Sequence, residues 1–354
     1  MARHISIGLD IATSCVRAAQ LGVKNGEFRL ERFGQVPLPV GAVTDGEVQD
    51  RAVVGEAIKS MWKAAKMSGK DVSVGVASQR VVVRQIDIPY IPPKERKTGL
   101  PLVVADQIPM PVEEAVLDYV HLGMVSGPDG NQLSRGLLVA ASEGIVSSAV
   151  EAAEYAGLRV RDVDLTPFAL VRALGSTSAA AMAGVSEAIV DVGASTTVLA
   201  IHEDGIPHFV RILLQGGQDV TDRLISEMGV NMATAESIKR ETGMSLSGGY
   251  GGSFDAESVI TDVCSNLVDE VRGSLDYFMA TSNRPRLERV LLTGGGSLVG
   301  GFQESLQEAV GLPVERGMAL AALGPGNSGL TVEHVGFADP LSAAAVGLAV
   351  RADI

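Results

Sequence analysis

The sequence predicts an α/β protein with two duplicated lobes, on three observations. At 354 residues the chain is longer than one ordinary core serves. It is 46% hydrophobic but only 4% aromatic, with 41 glycines, so Val, Ile, Leu and Ala must fill the core around many tight turns. One motif also occurs twice. IGLDIATSCVR (7–17) and IVDVGASTTVL (189–199) each spell an apolar strand, an Asp, a small-residue turn with hydroxyls and a second strand.

The elements follow in order. From Ile5 the pattern reads strand, turn and strand through CVRAAQLGV, then KNG as a hairpin turn and EFRLERFGQVPLP as a third strand. Arg51 to Gly69 carries apolar residues at helical spacing and ends on Gly, an amphipathic helix with Trp62 expected in the core. DVSVGVASQRVVVRQIDIP alternates as strands. PPKERKTGLPLVVADQIPMP reads as helix interrupted by Pro101. AVLDYVHLGMV and RGLLVAAS are strands, and EGIVSSAVEAAEYAG is a helix. Residues 78–161 are therefore expected to form an inserted α+β subdomain with its own core, dividing a first lobe of 1–77 and 162–186.

VRDVDLTPFALVRAL gives a strand and a helix, and GSTSAAAMAGVS a low-complexity connection. The meander then recurs as AIVDVG, TTVLAIHEDG and IPHFVRILL. A mostly helical stretch from Asp219 to about Arg284 is broken by SLSGGYGGS (245–253), whose glycines read as a flexible loop. Strand RVLLTGGGS, helix GFQESLQEAVG, a turn-rich LGPGNSG and helix DPLSAAAVGLAV complete the pattern. The second lobe is expected over 187–226 and 287–354, with a helical subdomain at 227–286.

A formal net charge of -13 argues against a general nucleic-acid surface. Cys15 and Cys264 stand in apolar contexts without metal-ligand spacing and read as buried thiols. His4, His121, His202, His208 and His334 are scattered without a paired nucleophile or ligand spacing. The N-terminus lacks the apolar core of a signal peptide, and no apolar run is long enough to span a bilayer, so a cytoplasmic protein is expected.

The repeated motif carries the chemistry. It puts Asp10 and Asp191 at the end of a strand, before a turn whose backbone N–H groups and hydroxyls can converge on phosphate oxygens. The carboxylates cannot bind phosphate themselves; their use is to hold a hydrated Mg²⁺. One such hairpin is ordinary turn chemistry. Two in matching meanders suit a cleft that clamps a polyphosphate from both sides. LLTGGGSLVGG, between a strand and a helix, adds a third glycine-rich junction. It is neither a dinucleotide fingerprint nor a P-loop, and a tight βα turn is its ordinary structural reading.

Two hairpins and a glycine-rich loop in this order resemble the superfamily of actin, the sugar kinases and the chaperone ATPases. Within it the chain resembles the PilM type IV pilus assembly proteins, relatives of the cell-division protein FtsA. The likeness runs through VVVRQIDIP, IPMPVEEAVLDYVHLG, VDLTPFALVRAL, QGGQDVTDRL, AESIKRE, SLDYF and RVLLTGGGSLVGGF. It implies an actin-like bilobed fold with an inserted α+β subdomain.

By that resemblance Asp10, Ala12, Thr13, Ser14 and Arg17 match the first phosphate motif, and Asp191, Gly193, Ser195 and Thr196 the second. Asp10 and Asp191 would hold the metal through water. Glu236 and Lys239 match positions facing the nucleoside, and Gly294, Gly295, Gly296 and Ser297 the adenosine loop. Taken alone, Glu236 and Lys239 read as a solvated helix face.

The chain departs from its relatives at three places. It has Ala12 where they usually carry Gly, Arg17 where they carry Lys, and Thr166 where hydrolysing relatives have Glu before the Pro. A hydroxyl is no general base at neutral pH, so slow or no ATP hydrolysis is expected. The ordinary reading of Thr166 is a cap for a helix starting at Pro167.

The resemblance implies a cytoplasmic adaptor that binds ATP or ADP with Mg²⁺. Its expected partner is the short cytoplasmic N-terminal segment of an inner-membrane PilN-like protein, held in a groove between first lobe and insertion. Other platform or motor proteins are further candidate partners. The alternatives are a small-molecule kinase of the superfamily, which would need a base in the cleft, and an FtsA-like filament protein, which would carry an amphipathic membrane helix at its C-terminus. A client-holding chaperone fits less well still.

Overall fold

A computed structural model describes residues 5–175, 185–244, 256–282, 286–323 and 328–350. SLSGGYGGS, nearly all of the low-complexity connection, the middle of LGPGNSG and His4 lie outside them.

The first lobe opens with an antiparallel meander, β1 (Ile5–Ile11), β2 (Cys15–Lys24) and β3 (Glu27–Pro37). Asn25 and Gly26, at φ of 57° and 80°, make the tight turn that suits the strand twist. A small hairpin, β4 (Val43–Thr44) and β5 (Glu47–Val48), leads to α1 (Arg51–Ala65). Asp50 caps α1 by accepting from the N–H groups of Ala52 and Val53, and Lys66 ends it at φ 54°. Strand β6 (Asp71–Val76) then runs parallel to β1.

The insertion contains β7 (Val81–Pro89), α2 (Arg96–Val104), β8 (Ala115–Ser126) and β9 (Gln132–Ser142). Its sheet has the order β7-β9-β8 and a small core of Ile88, Leu100, Val104, Tyr119 and Leu138. Pro101 sits inside α2, which 3₁₀ turns flank on both sides. The chain returns through α3 (Glu143–Tyr155), β10 (Arg159–Leu165) and a short α4 (Thr166–Leu170). Although α3 lies within residues 78–161, its Ile145, Ala149, Ala152 and Ala153 belong to the first lobe's core with Val54, Ile58 and Met61 of α1.

The second lobe repeats the plan. Strands β11 (Ser186–Val192), β12 (Thr197–Glu203) and β13 (Ile206–Leu213) form the meander, with Asp204 and Gly205 in the left-handed turn. Helices α5 (Gly217–Met228), α6 (Met232–Thr242) and α7 (Ala256–Thr281) follow, then β14 (Leu287–Thr293), α8 (Phe302–Val310), β15 (Val314–Arg316) and α9 (Val332–Ala349). The sheet orders, β10-β6-β1-β2-β3 and β15-β14-β11-β12-β13, are topologically the same. The twice-written motif is therefore a duplicated sheet.

A third core lies between the lobes, where Ala19, Leu21 and Leu30 meet Leu170, Leu174, Ile189, Ala200 and the small residues of α9. Helix α9 crosses to the first sheet, and its Gly347 lies so close to α4 that a Cβ would fall 1.8 Å from the Ala169 carbonyl oxygen. The sequence pattern starts this helix at Asp339, but it begins at Val332, where Thr331 caps it by accepting from His334 N. Pro340 lies inside the helix, and its carbonyl accepts from the loop after β14. Trp62, expected in the core, is half-buried and donates its ring N–H to Gly69 O at 2.8 Å.

Candidate functional site

Both motif hairpins are built alike. In the first, Ala12 N donates to Cys15 O at 3.0 Å; in the second, Gly193 N donates to Thr196 O at 2.9 Å. Each Asp stands one residue before the end of its first strand, so the two carboxylates occupy equivalent register positions. Neither Ala12 nor Gly193 has positive φ, so Ala12 fits the turn without strain.

Asp10 pairs across the strands with Arg17, whose guanidinium lies 3.4 Å from Oδ2. Arg17 also donates to Gln35 Oε1 at 3.2 Å. Burial raises the Asp10 carboxyl, and outweighs the lowering by the Arg17 charge and hydrogen bond. Asp191 pairs with Val198 and has no such cation opposite it. Burial, with the Asp10 charge added to it, pushes Asp191 up to about 7 against a smaller opposing effect of Arg17. The two aspartates therefore feel one another across the cleft.

The glycine-rich loop packs against the second hairpin. Gly294 has φ 88°, and a Cβ there would meet Val192 O at 2.3 Å and Asp191 Oδ1 at 2.5 Å, so only glycine fits. Gly294 N and Thr293 Oγ1 both donate to Pro340 O, at 2.7 and 3.0 Å, which ties the loop to α9. Ser297 is buried. Its hydroxyl donates to Gly294 O at 2.7 Å and, with its carbonyl, accepts from Arg316 at 2.9 and 3.0 Å.

The start of α5 holds the same hairpin from the other side. Gly217 N donates to Gly193 O at 2.9 Å and Gln218 N to Ala194 O at 2.7 Å. Lys239 Nζ, from α6, donates to Gly217 O, Thr221 Oγ1 and Glu236 Oε1 at 2.9, 2.7 and 2.6 Å. Burial would raise Glu236, but the bonds from Lys239 and Thr221 hold its carboxyl below the usual range. Glu236 and Lys239 are thus not a solvated face. A cavity of about 110 Å³ opens here, lined by Val192, Gly217, Cys264, Leu267, Gly296 and Phe302. Burial pushes the Cys264 thiol up to about 12, which makes it inert.

The structure thus brings Asp10, Arg17 and Asp191 into one electrostatic unit, and Asp191, Gly193, Gly294 and Gly296 into another packed group beside Glu236 and Lys239. Sequence reasoning missed Arg316 and Thr221. Thr221 lies in QGGQDVTDRL and had a local signal, whereas Arg316 reaches Ser297 only through the fold. Thr166 is buried beside Gly75, the neighbour of Asp10 on β6. It does not cap α4 as its ordinary reading held: the helix starts at Thr166 itself, Leu165 takes the cap position, and no side chain bonds there. Among the described histidines, His121 bonds Ser134 at 2.7 Å, and His202 and His208 face Glu187 and Glu203.

The residues fit a metal and polyphosphate. Two neighbouring carboxylates, Asp10 buried and Asp191 half-buried, with one arginine beside Asp10, carry excess negative charge that a hydrated dication would relieve. The Gly294 turn leaves no room for a side chain beside Asp191. Among the described residues no helix is long and apolar enough to cross a membrane.

A family model described as type IV pilus assembly protein PilM matches residues 8–352. Among solved structures, the PilM-PilN type IV pilus biogenesis complex is similar with a TM-score of 0.83 and 26% identity, over 97% of each chain. The ethanolamine utilization protein EutJ of Carboxydothermus hydrogenoformans shares the fold, with a TM-score of 0.57 and 16% identity over 99% of this chain and 90% of that one. The cell division protein FtsA of Streptococcus pneumoniae is 24% identical over 343 residues, 87% of this chain and 74% of that protein. FtsA of Neisseria meningitidis is 25% identical over 361 residues, 89% of this chain and 84% of that protein. The fold is the actin-like bilobed one.

Proposed function

Because the chain belongs to the family of the type IV pilus assembly protein PilM, we propose that it is the actin-like adaptor of a type IV pilus assembly platform and binds a PilN-like inner-membrane protein. The observation that carries this reading is the likeness to the PilM-PilN complex along nearly the whole of both chains. The groove for the PilN-like N-terminal segment is assigned between the first lobe (1–77 and 162–186) and the insertion (78–161), on the cytoplasmic face of the membrane. An extended peptide gains main-chain bonds and side-chain pockets in such a groove.

Mg-ATP or Mg-ADP is the ligand proposed for the cleft. Asp10 and Asp191 would hold the hydrated ion. The Ala12–Ser14 and Gly193–Thr196 turns, with the Thr13, Ser14, Ser195 and Thr196 hydroxyls, would face the phosphates, and Arg17 would balance charge. Gly294–Ser297 and the Glu236–Lys239 pair would receive the nucleoside. When bound, the nucleotide supplies the charge and contact that tie one lobe to the other. By the resemblance, Thr166, buried beside Gly75, the strand neighbour of Asp10, would occupy the position of a general base, and its hydroxyl cannot serve as one, which supports slow or absent hydrolysis.

The adaptor reading is tested by fluorescence anisotropy with the labelled N-terminal peptide of the PilN-like protein from the same organism. Saturable binding is expected, and its absence with and without nucleotide would sink the assignment. Millimolar Mg-ATP should also add a few kcal/mol of stability by mass action. Asp10→Ala and Asp191→Ala should abolish that gain, with little phosphate released by any of the three proteins.

A further inference from the structure

The end of the first lobe remote from the cleft carries a concentration of positive charge that the adaptor reading does not use. The chain has only eight lysines and a net charge of -13, yet Lys59, Lys63, Lys66 and Lys70 fall within twelve residues. They stand on the last turns of α1 and the loop into β6, where β6 and β10 begin and opposite the strand ends that bear the Asp10 hairpin.

A cavity of about 310 Å³ lies among them. Ile58, Trp62, Met67 and Leu158 give it an apolar lining, and Lys59, Lys63 and Lys70 a basic one. The carboxylates on the adjoining turns are mostly taken up by other cations or by Lys59. Glu56 is bound by Lys59, which also lies 4.4 Å from the Tyr155 ring centre. Asp71 is bound by both Arg159 and Arg161. Glu154 stands on the last turn of α3. Lys63, Lys66 and Lys70 are exposed and make no ion pair among the described residues.

We propose that this pocket is a second docking site, for an acidic segment of a protein partner that inserts one aliphatic or aromatic side chain between flanking carboxylates. Charge complementarity selects the acidic ligand, since unpartnered cations on an acidic protein steer carboxylates and repel basic segments. Concavity selects a peptide over a membrane surface: a bilayer meets protruding apolar residues, whereas here Trp62 and Met67 line a hollow. Ala156, Gly157 and Leu158 of its lining fall within residues 78–161, but Ala156 and Leu158 pack into the first lobe's core and none of the lining comes from β7, α2, β8 or β9, so the site stands apart from the proposed PilN-like groove.

The test pans a phage-displayed random dodecapeptide library on the full chain and on a variant carrying Lys63→Glu, Lys66→Glu and Lys70→Glu. A Gln version of the same triple variant separates charge reversal from loss of charge, and thermal unfolding checks that both fold. Clones enriched on the wild type should carry two or more carboxylates beside an apolar residue. Synthesised as free peptides, they should bind at least tenfold more weakly to the Glu variant and weaken with salt. The proposal is overturned if enriched clones lack acidic bias or bind the variants equally. It is also overturned if vesicles of phosphatidylglycerol, or a second copy of the chain, bind in a lysine-dependent way while acidic peptides do not. Loss of the PilN-like peptide in the Glu variant would merge this pocket with the adaptor groove and overturn it as well.

Discussion

The Asp10 and Asp191 hairpins share register and a turn hydrogen bond, but they differ in what surrounds them. The first carries its own counter-charge in Arg17 and, among the described residues, its turn is held from outside by the backbone bond Leu38 N to Ser14 O at 2.8 Å. The second has Val198 opposite its Asp and is clasped by two N–H groups of α5 and by the Gly294 turn. A duplicated strand pair has thus become one loosely held, charge-balanced jaw and one tightly held jaw with excess negative charge. The excess makes the second jaw the one whose stability should respond most to a cation.

The largest test strikes the tight jaw. Gly294→Ala must take up positive φ and push a methyl group into Val192 O and Asp191 Oδ1. Strain and overlap together should cost on the order of 4 kcal/mol in urea unfolding. A loss below about 1 kcal/mol would mean that the clasp is slack.

The next acts on charge. Between pH 3.8 and about 7 native Asp191 holds a proton that the unfolded chain has released, so apo stability falls as pH rises through that window and the penalty is complete above it. Asp191→Asn should therefore stabilise the apo protein at pH 8 by on the order of 3 kcal/mol and change little at pH 4. An unaltered slope between pH 5 and 8 would refute the account. Arg17→Met should act oppositely and cost about 2 kcal/mol at pH 8, because it strips the charge that restrains both carboxyls.

Why the sequence revealed the duplication but not this asymmetry follows from range. Asn25-Gly26 and Asp204-Gly205 turns, period-two strands and the LTGGGS junction are local signals, and each element they predict is present. The face that α3 presents is equally plain in its periodicity, but periodicity does not say that it packs on α1 rather than on the insertion's sheet. Helix α9 is mostly small residues, so nothing in its pattern announced that it would start at Val332 or cross to the other lobe. The candidate site divides the same way: its two hairpins and the QGGQDVTDRL stretch that holds Thr221 are local, while the contact of Arg316 with Ser297 exists only in the fold.

The smallest prediction separates the jaws most cleanly, because its two effects have opposite signs. Ala12 occupies ordinary negative-φ backbone, so Ala12→Gly gains no relief of strain and widens the unfolded ensemble. Apo stability should drop by about 0.4–1 kcal/mol. The same change removes the methyl group beside the turn N–H groups proposed to face the phosphates. Calorimetry of Mg-ATP binding should then report tighter association in the less stable protein. Weaker or equal binding would mean that the first turn does not approach the phosphates, leaving the clasped second jaw to hold the nucleotide alone.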